Sequence, residues 1–188
     1  MERAGKHNSA PGFSWGGSSS QPFGGGDPRM APVYVLLDDI RSAYNVGSIF
    51  RTSDAARVRH LFLCGMTAYP PHEKLNKTAL GALDHVSWSH HVEPEPVVVS
   101  FKEAGGQVWA CEPGPGASDY TKTPCPCPVL LLFGHEVGGI RPGLLARADR
   151  RVAIPMGGHK ESLNVATAYG VIVFEILRQF EDRGVWKR

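Results

Sequence analysis

Three short segments decide the fold: Asn45-Val-Gly-Ser-Ile-Phe-Arg51, Phe133-Gly-His-Glu-Val-Gly-Gly139 and Ile154-Pro-Met-Gly-Gly-His-Lys-Glu-Ser-Leu-Asn164. In each segment an apolar run gives way to glycine, proline or polar residues. An open α/β sheet binds its ligands at such junctions, beyond the carboxyl ends of its strands. The third segment leads into a long apolar helix. Taken together, the three segments predict an enzyme with a nucleotide-like cofactor.

Apolar runs rich in β-branched residues predict the strands of the sheet. These runs are Val33–Leu37, His60–Cys64, Gln107–Cys111, Val129–Phe133 and Arg151–Ile154. Their hydrophobicity is continuous rather than alternating, which is typical of parallel strands covered on both faces. Periodicity and proline placement predict helices over Asn45–Arg57, Pro96–Ala104, Pro142–Ala148 and Leu163–Phe180. Strands that alternate with helices indicate an α/β fold with a mainly parallel sheet and helices on both faces.

The last predicted helix is apolar on nearly all sides. Its apolar residues form one long stripe, a second shorter stripe and a pair between them: Val165, Tyr169, Ile172, Ile176 and Phe180; Ala166, Val173 and Leu177; Val171 and Phe174. Such a helix must be covered on more than one side. We expect a second subunit to cover one side, with Ile172 and Ile176 turned outward. A helix central to the core is the alternative.

Composition divides the 188 residues into a tail and one domain. Residues 1–30 are rich in glycine, serine and proline and lack apolar periodicity, so we predict a flexible tail. Residues 31–188 are long enough for a single domain with a real core. No stretch resembles a secretory signal, and no run of about 18 apolar residues occurs that could span a membrane. A soluble, cytoplasmic protein is expected, with an organelle transit peptide as the lesser alternative.

Charge and cysteine content restrict the partners. The net charge of +2 is too small to indicate nucleic-acid binding by itself. Residues 41–60 and 141–160 are nevertheless rich in arginine, which predicts a basic rim around the site, with ordinary solvated charges as the alternative. The four cysteines lack the spacing of a zinc site, so free thiols in a reducing compartment and no metal are expected.

Several nucleotide-binding and hydrolase classes lose their support, because the motifs that carry them do not occur. No strand runs into Gly-x-Gly-x-x-Gly, and neither a Gly-x-x-x-x-Gly-Lys-Ser/Thr loop nor a Gly-x-Ser-x-Gly elbow is present. The first strand instead runs into Asp38-Asp39. These observations disfavour dinucleotide dehydrogenases, P-loop NTPases, serine α/β-hydrolases and the common Rossmann-type methyltransferases.

The three opening segments resemble the motifs of the SpoU (TrmH-like) RNA ribose 2′-O-methyltransferases of the SPOUT superfamily. Asn45-x-Gly-x-x-x-Arg51 is similar to the first motif, Gly134-x-Glu-x-x-Gly139 to the second, and Ile154-Pro-Met with Ser162-Leu-Asn164 to the third. The match covers about Val33 to Phe180. It implies a deep C-terminal trefoil knot, S-adenosylmethionine held bent within that knot, and an obligate homodimer that acts on RNA.

The resemblance also implies which residues form the site. The cofactor is expected to bind the residues that follow three strands, with two further residues closing the pocket: Cys111, Glu112, Gly134, Ile154 and Met156; Ser162 and Leu163. Gly134 is expected to lie against the adenine. The implied catalytic set is Arg51, Asn45, Glu136, Ser162 and Asn164. In it Arg51 is the catalytic arginine, Asn45 and Glu136 fix the arginine and the RNA, and Ser162 and Asn164 lie beside the transferred methyl.

Structural explanations remain open for these polar residues. Asn45 and Asn164 each precede or begin a helix and could be N-caps, a role that in Asn164 is compatible with function. Glu136 could cap a helix or pair with an arginine. Arg51 could be a solvated surface charge.

Methylation of a ribose hydroxyl requires that the oxygen be aligned with the methyl and lose its proton. No histidine or cysteine matches a family base, and a guanidinium does not normally give up its proton. Either Arg51 is activated by the sulfonium, or it stabilises the oxyanion while phosphate or water accepts the proton. The chain has no room for the extra N-terminal RNA-binding domain of many rRNA-specific relatives, which favours tRNA over rRNA. The alternatives are a non-catalytic RNA-binding protein that retains the fold and a SPOUT enzyme that methylates a base nitrogen.

Overall fold

The computed structural model describes residues 27–187, and these residues fold around one seven-stranded sheet. The strands are β1 (Ala31–Asp38), β2 (Val58–Cys64), β3 (Trp88–His91), β4 (Gln107–Cys111), β5 (Ser118–Asp119), β6 (Val129–Phe133) and β7 (Arg150–Ala153). They lie in the order β3-β2-β1-β6-β4-β7-β5, and every pair is parallel. The predicted α/β fold with a parallel sheet is confirmed. The trefoil knot stays a prediction.

Helices cover both faces of the sheet, as predicted. They are α1 (Ala43–Ala55), α2 (Glu73–Ala79), α3 (Glu95–Glu103), α4 (Pro142–Leu145) and α5 (Val165–Asp182), with a 3₁₀ turn over Ala82–Asp84. Residues of α1, α2 and α5 form one buried cluster with the sheet. Residues of α3 and α4 form a second cluster on the other face. Within residues 27–187 no helix has the length and apolar character needed to cross a bilayer.

Helix α1 forms because its apolar residues recur with helical period and its first turn is capped. The Ser42 side chain accepts a hydrogen bond from the Asn45 backbone N–H, and Val46, Ile49, Phe50 and Ser53 are buried, as the sequence predicts. The helix starts after the carboxyl end of β1 and returns to the amino end of β2. Asn45 therefore lies at the carboxyl edge of the sheet, where ligands bind.

The orientation of α5 corrects one expectation. Ile172 and Ile176 are each only 2% exposed and belong to the core, so their predicted outward orientation is wrong. The exposed apolar side chains are Val171, at 37%, and Phe174, at 39%. At about 100° per residue, Val171 and Phe174 lie opposite the buried stripe. Helix α5 therefore packs in the core on one side and presents an exposed apolar face on the other.

Some elements escaped prediction. Strand β3 is polar and β5 has two residues, whereas α2 has only two buried apolar side chains, Leu75 and Ala79. The segment over 113–128 is held to α5: Gln179 accepts from the Cys125 backbone N–H, and Arg183 donates to the Cys125 carbonyl. Most of the tail predicted for residues 1–30 lies outside the described residues.

A buried ion pair joins the loops at the carboxyl ends of β1 and β6. Arg141 Nε donates to Asp38 Oδ2 at 2.8 Å, and Arg141 Nη2 lies 2.6 Å from Asp38 Oδ1 in an ion-pair contact without hydrogen-bond geometry. Asp38 is 2% exposed, and Arg141 also donates to Asp39 at 3.1 Å. Burial raises the pKa of the Asp38 carboxyl, although Arg141 opposes the shift.

Replacing Arg141 with methionine should lower the free energy of unfolding by about 3–5 kcal/mol at pH 7, because Asp38 would remain as a buried charge without its partner. Because the pKa of Asp38 is raised in the folded protein, this carboxyl stabilises the fold at low pH, and that contribution is lost as the pH rises. The deficit of Arg141→Met should therefore shrink as the pH falls towards about 4. Urea unfolding at pH 7 and at lower pH measures this. The exposed Arg147→Met is the matched control, and a deficit independent of pH would contradict the assignment.

Candidate active site

Asn45 lies in the first turn of α1, and its side chain connects all three sequence segments. Its Nδ2 donates to Glu136 Oε1 at 3.1 Å, and its Oδ1 accepts from Asn164 Nδ2 at 3.1 Å. The N-cap of α1 is Ser42, so the explanation of Asn45 as an N-cap is wrong. The structure brings together three residues that are far apart in sequence.

Asn164 is the N-cap of α5, and this role orients its amide. Its Oδ1 accepts from the backbone N–H groups of Ala166, at 3.0 Å, and Thr167, at 3.3 Å. With the oxygen engaged, Nδ2 is left to donate to Asn45. Asn45 must then present its own oxygen to Asn164 and its NH₂ to Glu136. A helix cap therefore sets the direction of the whole hydrogen-bond chain.

Glu136 belongs to a tight loop that follows β6. His135 Nδ1 accepts from the backbone N–H groups of Val137 and Gly138, at 3.1 and 3.0 Å, and the Gly139 N–H donates to the His135 carbonyl at 2.8 Å. Within residues 27–187, Glu136 makes no ion pair with an arginine, so that explanation is not supported. Sequence patterns gave no signal for the part His135 plays in shaping this loop.

The Glu112 side chain clamps the same loop to the end of β4. Its Oε2 accepts from the Ile140 backbone N–H at 2.7 Å, and Arg151 forms a short ion pair with Oε1. Gly139, at φ +69°, leaves room for the carboxylate, because a Cβ there would lie 2.7 Å from Glu112 Oε2. The predicted cofactor residue Glu112 thus has a structural task in addition to its place in the site.

The loops enclose a cavity of about 430 Å³ beyond the carboxyl ends of β4, β6 and β7. All seven residues expected to bind the cofactor line it: Cys111, Glu112, Gly134, Ile154, Met156, Ser162 and Leu163. Of the expected catalytic residues, Glu136, Ser162 and Asn164 line it as well, and Asn45 adjoins it through its two hydrogen bonds. Burial raises the pKa of the Cys111 thiol well above its usual range, so this thiol stays uncharged.

Gly134 is required by the protein's own backbone. A Cβ at this position would lie 2.3 Å from backbone atoms of Gly139 and Ile140. A larger residue here would force the loop apart before it met any ligand. Gly134 lines the cavity as expected, but a substitution of Gly134 cannot report on adenine contacts.

Arg51 is the one expected catalytic residue that the structure leaves apart from the cavity. It is exposed, does not line the cavity, and makes no hydrogen bond or ion pair within the described part of the chain. At about 100° per residue Arg51 lies some 120° round α1 from Asn45, on an outer ridge shared with Tyr44, Ser48 and Ala55. Arg51 therefore faces away from the core of its own chain.

The basic rim is smaller than the arginine count suggests. Arg141 is bound to Asp38 and Asp39, and Arg151 to Glu112. Arg59 donates to the carbonyls of Asp27 and Met30, near the amino end of β1 and so at the edge opposite the cavity. Only part of the predicted basic residues can therefore meet a ligand at the site.

Comparison with known proteins identifies the family that the three sequence segments resemble. The sequence model of the SpoU rRNA Methylase family matches residues 32–174. The chain is 32% identical, over 160 residues, to the tRNA (guanosine(18)-2′-O)-methyltransferase of Thermus thermophilus, covering 85% of this chain and 81% of that protein. The crystal structure of the A. aeolicus TrmH/SpoU tRNA modifying enzyme superposes with a TM-score of 0.77 at 27% identity, covering 86% of this chain and 81% of that one. The SpoU methyltransferase AviRb from Streptomyces viridochromogenes, in complex with AdoMet, gives a TM-score of 0.73 at 29% identity, covering 79% and 60%. The chain belongs to the SpoU methylase family.

Proposed function

We propose that this protein transfers a methyl group from S-adenosylmethionine to a ribose 2′-hydroxyl of RNA, with tRNA favoured over rRNA. The observation that carries the proposal is the cavity whose mouth holds the chain of Asn164, Asn45 and Glu136. Family membership and relatives named as tRNA 2′-O-methyltransferases support the reaction and the substrate class. We also propose a cytoplasmic location, because the free buried thiols of Cys64, Cys111 and Cys125 suit a reducing compartment.

The cavity fits a nucleoside cofactor in size and in chemistry. A volume of about 430 Å³ lies within the usual range for small-molecule sites. Val152, Ile154 and Leu163 supply apolar surface for a flat ring, and the strand ends leave backbone groups that can hydrogen-bond its edge. When bound, S-adenosylmethionine supplies a methyl group already activated by its sulfonium charge. The protein's task is to place and deprotonate the ribose hydroxyl.

The polar chain at the cavity mouth suits that task. Glu136 keeps one carboxylate oxygen bonded to Asn45 and the other available to a hydroxyl. Ser162 lines the same mouth and can donate or accept a hydrogen bond. Because the Asn164 cap fixes this chain, a ribose bound there would meet preorganised partners, which is where most of the rate gain in such a transfer arises.

Filling the cavity should weaken cofactor binding. Ala168 lines the cavity from the first turns of α5, where methionine is also a good helix former. Ala168→Met should weaken S-adenosylmethionine binding by at least about tenfold in isothermal titration, since its side chain occupies the space of the ligand. Ala146→Met, an identical change at an exposed position at the end of α4, should bind as the native protein does. Equal affinities in the two variants would contradict the assignment of this cavity as the cofactor site.

We propose that the protein is a homodimer joined through the outer ridges of α1 and α5. The two helices pack side by side, and their exposed faces carry Tyr44, Arg51, Val171 and Phe174. A twofold dimer sets the same patch of each copy against the other. Arg51, which faces away from its own cavity, would then lie on the surface that approaches the partner. We therefore propose that Arg51 serves the cavity of the second subunit.

Mixed dimers test this arrangement. Arg51→Ala and Ala168→Met should each have little activity alone when the cofactor concentration is kept well below the Kd of Ala168→Met. After the two are unfolded and refolded together, a dimer with one chain of each kind has one intact cavity facing one intact Arg51, so about a quarter of native activity should return. If Arg51 serves its own chain, every site in the mixture lacks one component and activity stays absent. Mixing Arg51→Ala with itself is the control.

Nucleoside analysis tests the reaction itself. The protein should be incubated with labelled S-adenosylmethionine and RNA from a host that lacks it, and the RNA digested for mass spectrometry. We expect the label on ribose, in a 2′-O-methyl nucleoside of the tRNA fraction. Arg51→Ala should lower the rate by about 10²-fold or more while cofactor affinity changes little, because Arg51 does not line the cavity.

Three outcomes of that experiment would count against the proposal. Label on a base would indicate the other SPOUT chemistry. RNA binding without any methyl transfer would indicate the runner-up, a non-catalytic RNA-binding protein with the same fold. An Arg51→Ala variant as fast as the native protein would remove Arg51 from the mechanism and leave the placing and deprotonation of the hydroxyl to Glu136 and its partners.

A further inference from the structure

A buried pair of hydroxyl groups joins α1 to α5 beneath the proposed active site. Ser53 Oγ and Tyr169 Oη are 2.6 Å apart, and both residues are completely buried. Neither residue lines the cavity or belongs to the catalytic set, so the proposed reaction does not use them directly. A buried hydroxyl that lacks its hydrogen-bond partner destabilises a core, so a paired set of hydroxyls at this position calls for an explanation.

The direction of the hydrogen bond can be assigned. The Ser53 hydroxyl has one proton, and its oxygen lies 2.8 Å from the Ile49 carbonyl, to which it donates. Ser53 must therefore accept from Tyr169, which donates. Burial raises the pKa of the Tyr169 phenol, so this donor keeps its proton at any ordinary pH. The contact is a fixed, directional link between the two helices.

The pair is placed between Arg51 and the cavity wall. Ser53 follows Arg51 by two residues on α1. The Tyr169 ring meets Phe133 edge-on, with centroids 5.5 Å apart, and Phe133 and the neighbouring Ala168 both line the cavity. The turn of α1 that carries Arg51 is thereby linked to the wall of the cofactor site.

A second link acts at the other end of α1, where Asn45 bonds to Asn164. Eight residues separate Asn45 from Ser53, or about 12 Å along the helix axis. One link would hold the start of α1 but leave its far end free to turn against α5. Two links together fix the roll of α1. Because Arg51 has no hydrogen bond or ion pair within the described residues, this roll sets the direction in which its side chain leaves the helix.

We infer that Ser53 and Tyr169 are a positioning pair that fixes the roll of α1 on α5 and so aims Arg51 at the reacting ribose, which in the proposed dimer lies at the cavity of the second subunit. The inference rests on the proposed function, in which Arg51 acts on that ribose. A helix with its side chains has a radius of about 5–6 Å, so a roll of about 10° moves a side-chain tip by about 1 Å. A displacement of that size can cost about 10²-fold in rate.

The alternative is that the pair only stabilises the core, and a double variant separates the two roles. Ser53→Ala leaves the buried Tyr169 hydroxyl without its acceptor, whereas Tyr169→Phe leaves Ser53 with only its bond to the Ile49 carbonyl. The double variant removes both groups with little change in shape, which leaves nothing unsatisfied and should restore stability to nearly the native level. If the pair serves stability alone, the catalytic rate should return with it. If it positions Arg51, the rate should stay low.

The experiment compares kcat, cofactor affinity, urea unfolding and amide hydrogen exchange in native protein, both single variants and the double variant. We expect the double variant to unfold near the native midpoint and to bind S-adenosylmethionine within about twofold of native, while kcat falls about 10- to 100-fold. Amides around 51–55 should exchange faster although global stability is unchanged. Ser89→Ala, which removes a buried hydroxyl on β3 bonded to His60 and His91, is the control and should keep native kcat.

Native kcat in the double variant overturns the positioning pair while leaving the proposed function intact, provided that Arg51→Ala is slow. A fast Arg51→Ala variant, or a native protein that transfers no methyl group, counts against the proposed function instead. In that case amide exchange still decides whether the pair holds α1. Native exchange around 51–55 in the double variant overturns the inference on its own.

Discussion

The constraint on which the rest depends is the parallel pairing of every strand in the sheet. Parallel strands place all their carboxyl ends at one edge, and each chain crossing must return behind a face of the sheet. The segments after β6 and β7 therefore meet at one edge, and α1, which begins after β1, contributes Asn45 to the same place. A site assembled from residues more than a hundred positions apart follows directly from this geometry.

Within that edge, a helix cap gives the site its order. Asn164 must point its oxygen at the first turn of α5, and this requirement orients Asn45 and then Glu136. Stability of the helix and arrangement of the site use the same amide, so the two cannot vary independently. The cap role of Asn164 is confirmed, and its proposed role in the site would use the same amide, so the two roles are physically linked.

Sequence predicted the elements whose signal is local. Burial is predicted correctly where the local pattern is strong. Examples are the continuous apolar runs of the central strands and the helical stripe of Val46, Ile49, Phe50 and Ser53. Sequence-based prediction failed where burial depends on residues distant in the sequence. Ile172 and Val171 are both apolar, and only the packing of α5 decides which of them is exposed. Polar strand β3 carried no apolar pattern; its His91 bonds to the Ser89 hydroxyl and its His90 to the Gly65 carbonyl. The clamp of Glu112 on the loop after β6 could not be read from spacing.

The distribution of charge separates Arg51 from Arg141 and Arg151. Arg141 and Arg151 are held by carboxylates and stabilise loops, so neither can move to a substrate without breaking a partly buried ion pair. Arg51 has no such partner in the described residues and is held only through the backbone of α1. An unpaired guanidinium on a helix contributes little to stability, but it can bind an anionic ligand without first breaking an ion pair. In the proposed mechanism the effect of Arg51 depends on the direction in which α1 points it, so the two side-chain links between α1 and α5 matter more there than any direct contact of Arg51 itself.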